Sequence, residues 1–411
     1  MLKQNDKKVF DIIEDEKIRQ KDELNMIPSE NYCSKSCLEA LGSILNNKYA
    51  EGYPRKRYYQ GNQYVDSIEE LAIERAKKLF NAEHANVQPN SGSPANMAVY
   101  FALLEPGDTI MAMDLDHGGH LTHGSPVNFS GKLFNFVHFG VEKDGFIDME
   151  KVRDLALEKK PKMIVSGFTA YPGKIDFQKF HEIAKEVSAY SMADISHIAG
   201  LIAGGAHPSP LPFTDVVTTT THKTLRGPRS AIILCKEKYA KQIDKAVFPG
   251  MQGGPHEHVI AAKAVAFKEA MQPDFKDYAK KVVKNAEILA EVLTENGIAL
   301  VSKGTETHLI LIDLINTKFI GEKGLGKKYA LALEEAGIIT NANTIPFEPS
   351  TPFKPSGIRL GTPTLTSRGF GEKEIRKVGE WITMVLKNPD DTGLKSNIKR
   401  DIKELCEEFD F

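Results

Sequence analysis

From Asp108 to Cys235, short apolar runs alternate with stretches whose apolar residues recur every three or four positions. The runs DTIMAMD (108–114), LFNFVHFG (133–140), KMIVSGF (162–168), YSMADI (190–195), DVVTTTT (215–221) and SAIILC (230–235) predict strands. DMEKVRDLALEKK (148–160) and FQKFHEIAKEVS (177–188) predict helices between them. Such alternation implies an α/β domain with a mostly parallel sheet covered on both faces. Before it, residues 8–24 have the spacing of an amphipathic helix, and a polar, Asn-, Ser-, Gly- and Tyr-rich stretch runs to about residue 66. Ser67 and Glu70 read as a capping box ahead of LAIERAKKLF. After it come helical patterns at 257–271 and 276–297, then HLILIDL and KKYALALEEAG, the pattern of a smaller α+β domain. The expected division is an N-terminal arm (1–50), a large domain (51–275) and a small C-terminal domain (276–411).

Composition narrows the class. The 411 residues suffice for two domains, and 26% charged with 41% hydrophobic residues is ordinary for a globular chain. A formal net charge of −2 and the lack of a basic stripe argue against a nucleic-acid partner. Cys33, Cys37, Cys235 and Cys406 form no CxxC pair, which reads as reduced thiols. The charged start MLKQNDKKVFDIIEDEK lacks the apolar core of a signal peptide, and no apolar run reaches membrane-spanning length. The expectation is a cytoplasmic protein.

The candidate chemistry lies at predicted strand ends, where ligands of open parallel sheets bind. DVVTTTTHKTLRGPRS places Lys223 just past a strand, among hydroxyls, His222, Arg226 and Arg229. A surface lysine is the ordinary reading. A lysine amine in a partly desolvated, cationic pocket instead has a lowered pKa and can form a Schiff base. The threonines are β-branched and suit a strand, yet hydroxyls facing a helix layer need partners, which a polar ligand would supply. YSMADISH ends a strand at Asp194, with His197 beyond. Asp194 is either a turn cap or the carboxylate that pairs with a pyridinium nitrogen. QPNSGSPANMAVYFALL sets Ser91, Gly92 and Ser93 before an apolar helix, as a plain cap or as a phosphate cradle. DLDHGGHLTHG spaces His117, His120 and His123 three apart beside Asp114 and Asp116. A metal site is the rival there, but Gly118 and Gly119 break any common helical face and no HExxH pattern occurs. An aromatic shelf under a planar ring, with glycines permitting close approach, suits this turn better, so no metal is expected.

VVTTTTHKTLRGPR, NKYAEGYPRKRYY, ANVQPNSGSPANMAVY, HGGHLTHGSPVNFSGK, VFPGMQGGP and SGIRLGTP together resemble the serine hydroxymethyltransferase family, in order over roughly residues 7–388. The resemblance implies an aspartate-aminotransferase-like large domain (pyridoxal-phosphate fold type I) and a homodimer with shared active sites. The implied reaction interconverts serine and glycine, with tetrahydrofolate as one-carbon carrier. It implies pyridoxal 5′-phosphate bonded to Lys223, Asp194 on the ring nitrogen, His120 stacked on the ring, and Ser91, Gly92 and Ser93 on the phosphate. Gln252 to Gly254 would come near from the other subunit, and Thr169, His197 and His222 would surround the ring hydroxyl and the lysine. Thr220 and His222 would hold lysine and substrate in place. Arg359 matches the arginine that binds the substrate carboxylate, with Ser29 near it, and Glu51 the glutamate that handles the serine hydroxyl proton. Tyr49, Tyr58 and Tyr59 match tyrosines of the shared site. Leu115, Gly119, His120, Leu121 and Asn343 match folate contacts, with Thr351, Pro352 and Phe353 a further stretch. Asn90, Gln60, Asp116, Ser230 and His256 depart from the family's usual residues, and Asp116 bears on the type of pterin. A threonine-aldolase-type enzyme of the same fold and a non-catalytic binding protein are the alternatives.

Overall fold

The computed structural model describes residues 1–409 and divides into two compact units. One is Asn31–Lys280; the other joins Met1–Glu30 to the chain from Lys281 onward. The divisions thus fall at 30/31 and 280/281, where the pattern suggested 50 and 275.

The larger unit is built on a seven-stranded sheet. Its strands are β1 (His84–Asn86), β2 (Thr109–Met113), β3 (Asn135–Phe139), β4 (Met163–Ser166), β5 (Tyr190–Asp194), β6 (Val216–Thr220) and β7 (Ala231–Cys235). They lie in the order β1-β7-β6-β5-β4-β2-β3. From β6 to β3 every pairing is parallel; β7 runs antiparallel to both β6 and β1. The physical reason is the connection. A crossover between parallel strands needs a helix-length segment. Only residues 221–230 join β6 to β7, so β7 turns straight back, and that turn carries Lys223. Strand β1 escapes the hydropathy pattern because it is a three-residue edge strand of sequence HAN.

Helices α1 (Gln63–Phe80), α2 (Gly92–Leu103), α3 (Met149–Lys159), α4 (Phe177–Glu186) and α5 (Glu257–Ala270) belong to this unit. Val99 and Tyr100 of α2 meet Ile110, Ala112, Met163, Val165, Met192, Val216 and Ile233 of the sheet in one buried cluster. Each such aliphatic side chain contributes about 1.5–3 kcal/mol by leaving water. This packing fixes where the start of α2 stands against the sheet. One expected cap is wrong. Helix α1 begins at Gln63, so Ser67 lies inside it and donates back to the Gln63 carbonyl at 3.0 Å, while Glu70 pairs with Arg55. Asp66 and Glu69, one turn into the helix, are buried, and holding them inside extends the helix past the apparent start signal.

The smaller unit has an antiparallel sheet of β8 (Ala299–Leu300), β9 (Leu309–Asp313), β10 (Asn341–Asn343) and β11 (Gly357–Gly361), ordered β8-β9-β11-β10. Ile310, Ile312, Ile358 and Leu360 pack with Leu333, Ile382 and Ile402 from its helices. Among the described residues no helix is long and apolar enough to cross a membrane.

Candidate active site

Asp194 is the last residue of β5, and its carboxylate is buried at the carboxyl edge of the sheet. Oδ1 accepts from Ser196 N at 3.1 Å and Ser196 Oγ at 2.6 Å, and Oδ2 from Asn96 Nδ2 at 2.9 Å. His123 Nε2 lies 3.5 Å from Oδ2. Burial by itself would raise the acid's pKa; the His123 contact, the nearby imidazoles and the Asn96 bond outweigh it, and the group is held well below the usual carboxylate range. Asn96 is the hub of this arrangement. Its amide also donates to Thr122 Oγ1 at 2.8 Å and accepts from Thr218 Oγ1 at 2.7 Å. Thr122 Oγ1 in turn is 2.7 Å from His120 Nδ1.

Helix α2 begins beside this carboxylate. Ser91 occupies its N-cap position without a side-chain capping bond. A Cβ on Gly92 would stand 2.9 Å from Thr220 Cγ2, so only glycine lets the helix start come so close to the end of β6. The Ser91-Gly92-Ser93 turn, the Thr220 strand end and Ser196 beside Asp194 therefore meet at one edge.

The threonine run needs no ligand to satisfy it, contrary to the expectation from its hydroxyls. Thr218 donates to Asn96, Thr219 to the Thr220 carbonyl, Thr220 to the Ser196 carbonyl at 3.4 Å and Thr221 to the Pro228 carbonyl. These bonds rigidify the strand end that presents His222 and Lys223. His222 Nδ1 is buried without a hydrogen-bond partner, and burial, then the charges of Lys223 and Arg229, push its pKa down to about 3. The Lys223 carbonyl accepts from Asn31 Nδ2 at 3.0 Å, and Asn31 also donates to Tyr278 Oη at 2.7 Å. Arg226 does not aim at the lysine's surroundings as a bare charge: its guanidinium stacks 4.2 Å from the Tyr278 ring centre.

The histidines of HGGHLTHG separate. His120 and His123 face Asp194, while His117 Nδ1 accepts from Val141 N at 3.0 Å beyond β3. Gly118 and Gly119 are required by backbone rather than by a ligand, since a Cβ on either would strike the Ala170 or Met113 carbonyl at 3.0 or 2.3 Å. Thr169 N donates to the Gly118 carbonyl at 2.7 Å, and the His197 carbonyl accepts from Thr224 Oγ1 at 2.8 Å. His120, His123 and Asp194 put ligand-type atoms within 4.8 Å of one another, as a metal site would. Both Asp194 oxygens, however, already accept bonds from Asn96 and Ser196, which suits a carboxylate aimed at one further donor better than a metal ligand.

Glu51 gathers with a second set. A Cβ on Gly253 would be 3.2 Å from Glu51 Oε1, and one on Gly254 3.2 Å from the Tyr49 ring. Tyr49 and Tyr59 meet edge to face at 5.4 Å, and Tyr58 meets Phe248 at 5.7 Å. Tyr49, Tyr58 and Tyr59 are 59%, 69% and 47% exposed, so these rings are not core packing. Gln252 bonds the Asn90 amide and the Gln88 carbonyl of its own chain, next to the Ser91 turn. Leu115 and Leu121 are exposed on the loop after β2.

In the smaller unit Arg359 is the middle residue of β11, buried, with Nε donating to Asn341 Oδ1 at 3.1 Å. It is therefore no surface ion pair, and burial lowers its pKa to about 10. Asn343 is half-buried on β10, Ser29 is half-buried, and Thr351, Pro352 and Phe353 form an exposed turn. The sequence patterns missed Asn96, Thr122 and Ser196. Asn96 could have been suspected as an amide inside an apolar helix just after the Ser-Gly-Ser turn; nothing local marks the other two.

Fold and site define an α/β enzyme whose polar groups converge on the carboxyl edge of its sheet, a buried carboxylate facing a helix start one strand from a lysine-bearing turn. The family model described as serine hydroxymethyltransferase matches residues 2–382. A serine hydroxymethyltransferase of Desulfotalea psychrophila (strain LSv54 / DSM 12343) is 56% identical over 408 residues, covering 99% of this chain and 95% of that protein. The chain belongs to the serine hydroxymethyltransferase family.

Proposed function

We propose that this protein interconverts serine and glycine, uses pyridoxal 5′-phosphate on a type I fold, and passes the one-carbon unit to and from tetrahydrofolate. The observation that carries the reading is Asp194: a buried carboxylate held ionised by Asn96, Ser196 and His123 at the edge where α2 begins. An ionised buried carboxylate suits a protonated ring nitrogen, and the glycine-tight helix start suits a phosphate. The residues present thus fit the cofactor. Ser91, Gly92 and Ser93 would hold its phosphate, Asp194 its ring nitrogen and His120 its ring face. Thr169, His197 and His222 would surround its hydroxyl, Tyr49 and Gly254 would close the site, and Lys223 would carry it covalently. When bound, the cofactor supplies an electron sink for the pair left on Cα as the bond to the hydroxymethyl group breaks.

The chain's own groups do the rest. The Arg359 guanidinium binds the substrate carboxylate as a fork, with Ser29 beside it, and so sets which Cα bond is aligned for cleavage. The Glu51 carboxyl takes and returns the hydroxyl proton, a task for a carboxyl group in Tyr-rich, partly desolvated surroundings. Lys223 Nζ would hold the cofactor between turnovers. Thr220 and His222 restrain it; a neutral His222 beside Lys223 neither repels the amine nor competes with it for a proton. Tyr58 and Tyr59 flank the substrate. Leu115, Gly119, His120, Leu121, Asn343 and the Thr351, Pro352, Phe353 turn bind tetrahydrofolate, the exposed leucines offering apolar contact to a flat ring. The exposed tyrosines beside Glu51 support a homodimer in which one copy completes the other's site. The protein acts in the cytoplasm.

The test is direct. The purified protein should be yellow, borohydride should fix the colour to the Lys223 peptide, and glycine formation from serine should require tetrahydrofolate. Glycine formation from threonine without tetrahydrofolate, and none from serine, would point to an aldolase instead.

A further inference from the structure

A second group of buried titratable side chains surrounds Arg57. Arg57 stands on the hairpin Gly52–Tyr53/Lys56–Arg57, and its side chain is 3% exposed. Nε donates to Asp66 Oδ1 at 2.9 Å and Nη2 to Glu69 Oε2 at 2.6 Å. Nη1 serves main chain only: it donates to the Ala50 carbonyl at 2.8 Å and the Gly52 carbonyl at 3.0 Å, the two residues that flank Glu51. The Glu51 carbonyl accepts from Tyr58 N at 3.0 Å. Gln88 Nε2 adds a second donor to the Gly52 carbonyl at 2.9 Å and ties it to Glu69 Oε1 at 2.7 Å. Three consecutive carbonyls around Glu51 are therefore held.

Burying a guanidinium among acids is a poor route to stability alone, since an apolar residue of equal volume often serves as well or better. What an apolar residue cannot do is grip two carbonyls and two carboxylates in fixed directions. Lysine cannot do it either, being a compact point charge without the planar fork. Glu51 itself is half-buried on a hairpin strap, where side-chain packing alone would leave it loose.

We propose that Arg57 is a positioning residue for Glu51, clamping the main chain on either side of it so that its carboxyl group stays where the substrate hydroxyl proton is handled. This rests on the role proposed above for Glu51. Displacing a reacting group by about 1 Å costs on the order of 100-fold in rate. Glycine has no hydroxyl, so exchange of its α-proton by the same enzyme makes no demand on Glu51, and the two reactions should part company.

In the holoenzyme, Arg57→Lys should lower kcat for serine turnover about 10- to 100-fold. KM for serine should move less than about threefold, as expected when a transition-state interaction is lost. Solvent deuterium exchange into glycine should stay within about twofold, with the visible spectrum of the bound cofactor unchanged. Gln88→Met, which removes one donor from the Gly52 carbonyl, should show the same split at about three- to tenfold, and it carries the test if Arg57→Lys does not fold. Unchanged serine turnover in the folded variant, or an equal fall in both reactions, would overturn the proposal. Glu51→Gln separates the layers. Should Glu51→Gln leave serine turnover intact, the reading of Glu51 fails and the proposal with it. Should Glu51→Gln impair turnover while Arg57→Lys does not, the proposal alone fails.

Discussion

Two buried carboxyl groups of the larger unit have opposite fates. Asp194 accepts three hydrogen bonds, from Asn96 and twice from Ser196, and its pKa is driven well below the usual range. Glu257 opens helix α5 with neither oxygen hydrogen-bonded and Arg57 3.7 Å away. Burial, then the charge of Glu69, pushes its pKa up to about 8 in spite of Arg57. Burial acts on both in the same direction. What separates them is their surroundings: His123, the His120 imidazole and aimed donors favour the anion of Asp194, whereas Glu257 has no donor and stands beside the charge of Glu69. A site that must keep an anion inside the protein builds donors around it; Glu257 has none and keeps its proton.

The contrast can be broken at several points. Lys223→Ala should have the largest effect, leaving no borohydride-fixed colour and no measurable serine turnover. Asp194→Asn keeps the shape and removes the charge; turnover should fall about 100- to 1000-fold, as for the loss of one member of a buried charge pair. Asn96→Ala strips one donor and should cost about tenfold. With less help for the ionised form, Asp194 should titrate higher, so the acid limb of the pH–rate profile should move to higher pH. Glu257→Gln sharpens the other half of the comparison. The wild-type carboxyl keeps its proton when folded from its ordinary 4.5 up to about 8, so its contribution to stability is complete below 4.5 and fades as pH rises toward 8. Thermal or denaturant unfolding from pH 5 to 8 should show this decline, up to about 1.4 kcal/mol per pH unit, and the glutamine variant should flatten it. The smallest effect is expected from a chelator: with both Asp194 oxygens occupied by protein donors, dialysis against EDTA should leave turnover unchanged.

Much of the large unit is legible in the order of its residues. The six runs between Asp108 and Cys235 each form a strand; in the interior ones burial on both faces favours apolar and β-branched residues, and the edge strand β3 is partly exposed. Lys223 and Asp194 can be picked out because polar residues stand out where strands stop, and the Ser91 turn because small polar residues precede an apolar helix. Less visible is everything held by cross-chain hydrogen bonds. The edge strand β1 carries no apolar pattern, the start of α1 is hidden by a false cap at Ser67, and Ser196 and Thr122 look like ordinary loop residues.

The chain's local chemistry by itself determined the alternation of strand and helix, the short return that turns β7 antiparallel, and which side chains stop at the sheet's carboxyl edge. These follow from periodicity and connection length, which are properties of neighbours in sequence. Tertiary structure alone decided that Asn96, 98 residues before Asp194, donates to its carboxylate, and that Arg57 binds the carbonyls on either side of Glu51. Such bonds depend on directions in space between segments far apart in the chain, and no pattern along the sequence encodes a direction.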